Sequence, residues 1–141
     1  MDPVACYCAN ARRAALALTA TYDEALAPHG LKVTQFSLLR AVARGGAPNL
    51  TALEEATGLD RSTLGRNLRI LEARGLVSLS PGVDQRDRVT TLSPAGRARV
   101  RAAAKTWAGV QDSIARALGA DADLFVDIAR RVTALARPEA A

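Results

Sequence analysis

Apolar positions along the chain recur mainly at intervals of three and four residues, and glycines and prolines cut this helical pattern into segments. Asp2-Pro3 has the form of a helix N-cap with proline at the first helical position. Val4, Cys8, Ala11, Ala15, Leu18, Tyr22 and Leu26 then make one stripe, which Pro28-His29-Gly30 ends. A second helix is expected from about Val33 to Arg44, with Phe36, Leu39 and Val42 inward, and Gly45-Gly46-Ala47-Pro48 reads as a loop. Thr51-x-x-Glu54 fits a capping box for a third helix that stops near Gly58. Asp60 fits the N-cap of a fourth helix, which keeps Leu64, Leu68 and Leu71 on its core side and runs to about Arg74, before Gly75. Leu76 to Leu79 and Val89 to Leu92 read as two strands joined by Pro81-Gly82 and a charged run. Ser93-Pro94 opens a long helix with Val100, Ala103, Trp107, Val110, Ile114 and Leu118 on one stripe. After Gly119 a last helix carries Leu124, Phe125, Ile128, Val132 and Leu135.

This order predicts a mainly α protein with a small β-wing: a winged helix-turn-helix between N- and C-terminal helices. The 141 residues suit a single domain. Within it, a DNA-binding lobe is expected over about 33–92 and dimerisation helices over about 3–27 and 94–137. The terminal stripes are long for so small a chain, so a homodimer built on them is expected; packing within one chain is the alternative.

Composition sharpens this picture. Alanine and leucine dominate, which favours helix. No apolar run approaches the ~18 residues of a membrane span. The N-terminus lacks the basic start and apolar block of a secretion signal, so a cytoplasmic protein without a membrane partner is expected. The net charge of +5 is uneven. From Arg61 to Lys105 ten basic residues face three acids, a net of +7, and the rest of the chain is slightly acidic. Such a patch attracts polyanions, with double-stranded DNA the foremost. Seventeen of the nineteen basic residues are Arg, whose fork matches phosphate and guanine better than Lys, although a GC-rich genome would enrich Arg too.

In a helix-turn-helix the start of the second helix enters the major groove. Here it carries Arg61, Ser62 and Thr63, with Arg66 and Asn67 one turn later. Arg61 and Arg66 could fork onto guanine, Asn67 could read adenine, and Ser62 and Thr63 could donate to phosphates or bases. Arg69 suits the DNA backbone. The wing tip, Gly82 to Arg88, offers Arg86 and Arg88 to a minor groove, with Asp84 and Asp87 expected to hold an Arg by a carboxylate fork. A solvated loop with ordinary ion pairs is the plainer reading.

At these residues the chain resembles the multiple-antibiotic-resistance regulator (MarR) family. Asp84-x-Arg86, five more residues and then Leu92-Ser93-x-x-Gly96 is similar to that family's wing signature. Leu31-x-x-Thr34-Gln35-Phe36 and Leu71-Glu72-x-x-Gly75-Leu76-Val77 are similar too. The resemblance implies an obligate dimer joined through terminal helices, a winged helix-turn-helix on each subunit, and repression released by a small ligand or an oxidant. It implies that Arg86 is the minor-groove Arg and Asp84 its partner. Ser78-Leu79-Ser80 departs from the pattern, since many members carry Arg after Gly-Leu-Val.

Cys6-Tyr7-Cys8 forms a second constellation. Cysteines on helices are commonly small buried hydrophobes. A helix N-terminus also favours thiolate, and Arg12 lies one turn after Cys8. The organic-hydroperoxide repressors of the same family resemble this in having a reactive Cys near a Tyr in the first helix. On a helix starting at Pro3, a spacing of two sets the thiols ~200° apart, which disfavours an intrahelical disulfide or shared metal. His29, the sole histidine, reads as a turn residue, and Trp107 and Phe36 as core or pocket wall. No metal site, cofactor or catalytic set is legible. The sequence therefore points to a dimeric repressor of a pseudo-palindromic operator, released by a small aromatic or carboxylate ligand or by thiol modification. An architectural DNA binder without effector response is the alternative.

Overall fold

The computed structural model describes residues 6–136. Among them the elements follow the expected order. These are α1 (Tyr7–Leu26), α2 (Val33–Gly45), α3 (Leu50–Thr57), α4 (Arg61–Ala73), β1 (Val77–Pro81), β2 (Arg88–Leu92), α5 (Pro94–Leu118) and α6 (Ala122–Ala134). The chain divides into two units, residues 1–107 and 108–141.

Two helix starts differ from the sequence reading. Asp2, Pro3 and Val4 lie outside the described residues, and α1 begins at Tyr7. Cys6 is its N-cap, with extended backbone (φ −71°, ψ 103°), and its Sγ accepts the Ala9 N–H at 3.4 Å. At α3 the cap is Asn49 rather than Thr51: its Oδ1 accepts the Ala52 N–H at 2.9 Å. The cause lies in the sheet. The Pro48 carbonyl accepts the Thr90 N–H at 3.0 Å, and Asn49 forms a bridge with Val89. This pairing leaves Asn49 extended next to the helix, the geometry an N-cap requires, and places Thr51 inside the first turn.

The core of the first unit is mostly leucine. Leu38 and Leu39 of α2, Leu53 of α3, and Leu64, Leu68 and Leu71 of α4 are buried together with Phe36, Leu26 and Leu76. Burial of each such side chain contributes roughly 1.5–3 kcal/mol. The α1–α2 connection is fixed by polar groups. Asp23 Oδ1 accepts the Val33 N–H at 2.8 Å, and Gln35 Oε1 accepts the Lys32 N–H at 3.1 Å. His29 does more than turn the chain: its Nε2 lies 2.8 Å from Thr106 Oγ1, and its carbonyl accepts from Arg99 Nη1 at 2.8 Å.

β1 and β2 are antiparallel, with Val77 opposite Leu92 and Pro81 opposite Arg88. The Ser93 N–H donates to the Leu76 carbonyl at 3.1 Å, and Ser93 Oγ donates to the Gly75 carbonyl while accepting the Gly96 N–H at 3.0 Å. A Cβ on Gly96 would collide with the Leu76 carbonyl oxygen. Thr90 is fully buried, and its hydroxyl has no hydrogen-bond partner among the described residues.

The outer faces are less covered than the stripes suggest. On α1 only Leu26 is buried; Leu18 and Tyr22 are half-buried, and Cys8, Ala11 and Ala15 are exposed. In the second unit, Leu124, Phe125, Val126, Ile128 and Val132 of α6 are all exposed. Among the described residues no helix is long and apolar enough to cross a membrane.

Gly96→Ala should lower unfolding stability by about 1–3 kcal/mol, the range for overpacking against a fixed backbone. Thr90→Val should raise it by ~1 kcal/mol by removing an unsatisfied buried hydroxyl. Urea unfolding of both variants measures this; a neutral Gly96→Ala would refute the close approach.

Candidate nucleic-acid interface

α4 owes its start to Asp60, whose backbone is extended and whose Oδ1 accepts the Thr63 N–H at 2.9 Å. That hydrogen bond holds the Asp60 carboxyl below the usual carboxylate range, with the nearby charge of Arg66 adding to the effect. Gly58 supplies the turn before it, at φ +71°, where a residue with a Cβ is strained. At about 100° per residue, Leu64, Leu68 and Leu71 fall on one side of α4, and Ser62, Arg66 and Arg69 fall on the opposite side. The leucines are buried and the three polar residues exposed. Core packing alone therefore turns Ser62, Arg66 and Arg69 outward as a single stripe.

Two of the predicted base readers are differently placed. Arg61 is bound to α3: Nε donates to Glu54 Oε1 at 3.1 Å, and Nη2 donates to Glu54 Oε2 at 3.1 Å and to Thr51 Oγ1 at 3.3 Å. The hydrogen bond to Glu54, and then the charge of Glu54, hold the guanidinium above its usual range, and Asp87 at the wing adds slightly. The same bond lowers the Glu54 carboxyl. Asn67 is half-buried and donates through Nδ2 to the Thr63 carbonyl of its own helix at 2.9 Å. Thr63 is half-buried as well.

The wing also differs in detail. Asp84 Oδ1 accepts the Arg86 backbone N–H at 3.2 Å, and the Asp84 carbonyl accepts the Asp87 N–H at 2.8 Å. The expected carboxylate–guanidinium fork is thus replaced by a turn in which the short Asp side chain binds its own backbone two residues on. Asp87 does not pair with Arg86 either; its Oδ2 accepts from Asn49 Nδ2 at 3.3 Å, which ties the wing to the α3 cap. Arg86 is left exposed at the tip, and Arg88 is exposed as the first residue of β2. The Asn49, Thr51 and Glu54 roles were missed in the sequence because Thr51-x-x-Glu54 also satisfies a capping pattern.

At the α1 start both thiols are exposed. Cys8 Sγ accepts from Arg12 Nη2 at 3.5 Å, and Tyr7 projects into solvent, 88% exposed. Because the helix begins at Tyr7, Cys6 is a cap and only Cys8 is helical, so the separation expected for a helix starting at Pro3 does not apply. A groove of about 300 Å³ runs along α2, lined by Ser37, Arg40, Ala41, Arg44 and Gly45 with Ala56 of α3. Arg40 stacks 3.9 Å over the Trp107 ring, which itself packs 6.0 Å from Phe36. Burial, reinforced by Arg44, pushes the Arg40 guanidinium below its usual range. Among the described residues no group of three His, Cys, Asp or Glu is arranged to hold a metal.

A leucine-packed helix-turn-helix with an exposed Arg stripe, followed by a hairpin wing, defines a winged-helix protein. The MarR family model matches residues 29–87. The M. tuberculosis transcriptional regulator MosR, solved in complex with DNA, is 36% identical at a TM-score of 0.82, over 92% of this chain and 96% of that one. BpsR of Bordetella bronchiseptica, whose DNA binding is regulated by 6-hydroxynicotinic acid, is 27% identical at a TM-score of 0.74, over 87% of this chain and 94% of that one. PcaV of Streptomyces coelicolor, solved with its natural ligand, shares the fold at a TM-score of 0.86 and 24% identity, over 97% of this chain and 98% of that one. A comparison with curated proteins gives no match. The chain belongs to the MarR family and is a DNA-binding transcriptional regulator, not an enzyme.

Glu54 and Asp60 both have lowered folded pKa values, so each favours the fold above the ordinary carboxylate range, and this contribution disappears as pH falls through the lowered values. The melting temperature should therefore drop on acidification below about pH 4. Glu54→Gln should melt lower at neutral pH and lose less on acidification. Parallel curves for wild type and variant would show that the Glu54–Arg61 pair does not contribute.

Proposed function

We propose that the protein is a dimeric repressor that binds a pseudo-palindromic operator and is released by an effector. The carrying observation is the outward stripe of Ser62, Arg66 and Arg69 on α4 together with Arg86 and Arg88 of the wing. Among the described residues none of these five side chains makes a hydrogen bond or salt bridge, so their donors are available to phosphates and base edges. Arg66 is the best placed for guanine, Arg69 for the backbone and Arg86 for a minor groove. Arg61, Thr63 and Asn67 support the helix, and Asp84 shapes the wing that presents Arg86. The DNA complex of MosR, the relative at 36% identity, supports this reading.

The uncovered apolar faces support the dimer. Leu16 on α1, and Leu124, Phe125, Ile128 and Val132 on α6, are exposed in the single chain, and a second copy would bury them. Two-fold pairing would set two α4 helices on half-sites about one helical turn apart.

Two features support a switch. The groove beside Arg40 and Arg44 suits a small aromatic or carboxylate ligand, as two guanidiniums on one helix face favour an anion. BpsR, regulated by 6-hydroxynicotinic acid, is a relative that responds to a ligand of that class. Exposed Cys6 and Cys8, with Tyr7 between them and Arg12 against Cys8, suit an oxidant or thiophilic metalloid instead.

Arg86→Ala should weaken operator binding by ~1–3 kcal/mol, and Arg66→Ala should relax preference at one position of each half-site. Titration of a duplex selected by the wild type from a random pool measures both; unchanged affinity in the two variants would place the reading surface elsewhere. Sedimentation at micromolar concentration should give a dimer, and Phe125→Glu/Ile128→Glu should give a monomer. Peroxide should release DNA from wild type but not from Cys6→Ser/Cys8→Ser if the thiols are the switch, whereas release by an aromatic carboxylate in both proteins would assign it to the groove.

A further inference from the structure

We propose that Glu54 is a specificity-determining residue: by occupying the Arg61 fork it turns the first arginine of the recognition helix into a brace and withholds its charge from indiscriminate phosphate binding. The inference rests on the DNA-interface reading above. It assigns to α3 a role in discrimination that the exposed arginines do not perform.

The donor inventory of Arg61 carries the argument. A guanidinium has five N–H donors. Nε uses its one on Glu54 Oε1, and Nη2 uses both of its own, on Glu54 Oε2 and Thr51 Oγ1. Only Nη1 remains without a partner among the described residues. A bidentate contact to guanine O6 and N7 needs two adjacent nitrogens, so Arg61 cannot make one without first giving up Glu54 or Thr51. The pair is also partly covered on the acidic side, with the Glu54 side chain 28% exposed and that of Arg61 60% exposed. Water therefore competes less for the carboxylate than for the arginine. Asp87 stands close enough to add to the field at Arg61, and Asn49 joins it to the α3 cap. Two carboxylates thus act on the basic residue at the α4 start, Glu54 through hydrogen bonds and Asp87 through its charge, whereas Arg66 feels only the charge of Asp60 and neither Arg66 nor Arg69 makes a salt bridge among the described residues.

The physical consequence concerns sequence-independent binding. That binding scales with the number of cations offered to phosphates, and its salt slope reports the number. With Glu54 in place, Arg61 and its carboxylate present nearly zero net charge at the DNA surface. Removal of the carboxylate charge should free one cation per subunit.

The test compares wild type, Glu54→Gln, Arg61→Gln and the double variant on two duplexes of equal length. One is selected by wild type from a random pool, and the other is unselected random sequence. Glu54→Gln is expected to bind the random duplex roughly threefold to tenfold tighter, with a salt slope steeper by about one per subunit, and to show a smaller ratio of selected to random affinity. Arg61→Gln should keep wild-type base preference at every selected position. In the Arg61→Gln background the Glu54→Gln gain should vanish, because the freed cation is absent. A gain that persists there would show a mere change of net charge and overturn the lock. So would an unchanged random-duplex affinity in Glu54→Gln, or the loss of one base preference in Arg61→Gln. Circular dichroism of each variant at the assay temperature shows whether it is folded. A misfolded Glu54→Gln is replaced by Glu54→Ala/Thr51→Ala, which must give the same gain. If wild type selects no duplex at all, the DNA-interface reading fails and the proposal with it.

Discussion

The carbonyl of Leu76 leaves no room for a side chain on the residue that packs against it, and the placement of the wing follows from that restriction. Gly96 at the start of α5 fills the position. Ser93 then bonds the carbonyls on both sides of the junction, through its N–H to Leu76 and its hydroxyl to Gly75. The end of α4, the start of β1, the end of β2 and the first turn of α5 meet at this point. This junction fixes the distance between α4 and the hairpin through backbone atoms and one short side chain, that of Ser93. The leucine cluster beneath α4 adds the rotation: by burying Leu64, Leu68 and Leu71 it decides which residues face outward.

Much of the fold was legible because its signals are local. The αL glycines at Gly30, Gly58 and Gly75, the Asp60 cap and the Ser93-Pro94 start fall where the sequence pattern sets them. The α3 cap was not, because Thr51-x-x-Glu54 satisfies a local rule while the real determinant is a bond between Pro48 and Thr90, some forty residues apart in the chain. The site divides along the same line. The exposed stripe of Ser62, Arg66 and Arg69 follows from helical period, whereas the engagement of Arg61 by Glu54 and Asn67 by Thr63 depends on rotamers and neighbours that spacing does not encode. Asp84 was legible as a partner of Arg86, but the partner atom is the backbone nitrogen.

The arginines near the interface consequently fall into kinds. Arg61 is an internal strut between two helices. Arg99 holds the His29 carbonyl, and Arg97 donates to the Leu92 carbonyl at 3.1 Å. Arg40 sits over the Trp107 ring. Arg61, Arg97 and Arg99 contribute to the basic composition of the Arg61–Lys105 segment, yet their side chains are bonded to the frame. Arg66, Arg69, Arg86 and Arg88 are left exposed on one helix face and one hairpin, and Arg74, Arg101 and Lys105 are exposed beyond them.

The segment between α2 and α3 has two halves with different freedoms. Gly46 and Ala47 are exposed, while Pro48 and Asn49 are pinned to β2, and Asn49 also holds the α3 cap and Asp87. An insertion between Gly46 and Ala47 can bulge into solvent. The same insertion two residues later would shift the strand bridge, unseat the first turn of α3 and release the wing from its anchor at once. Added length in this linker should therefore be tolerated only in its first half, and the second half behaves as a third edge of the wing.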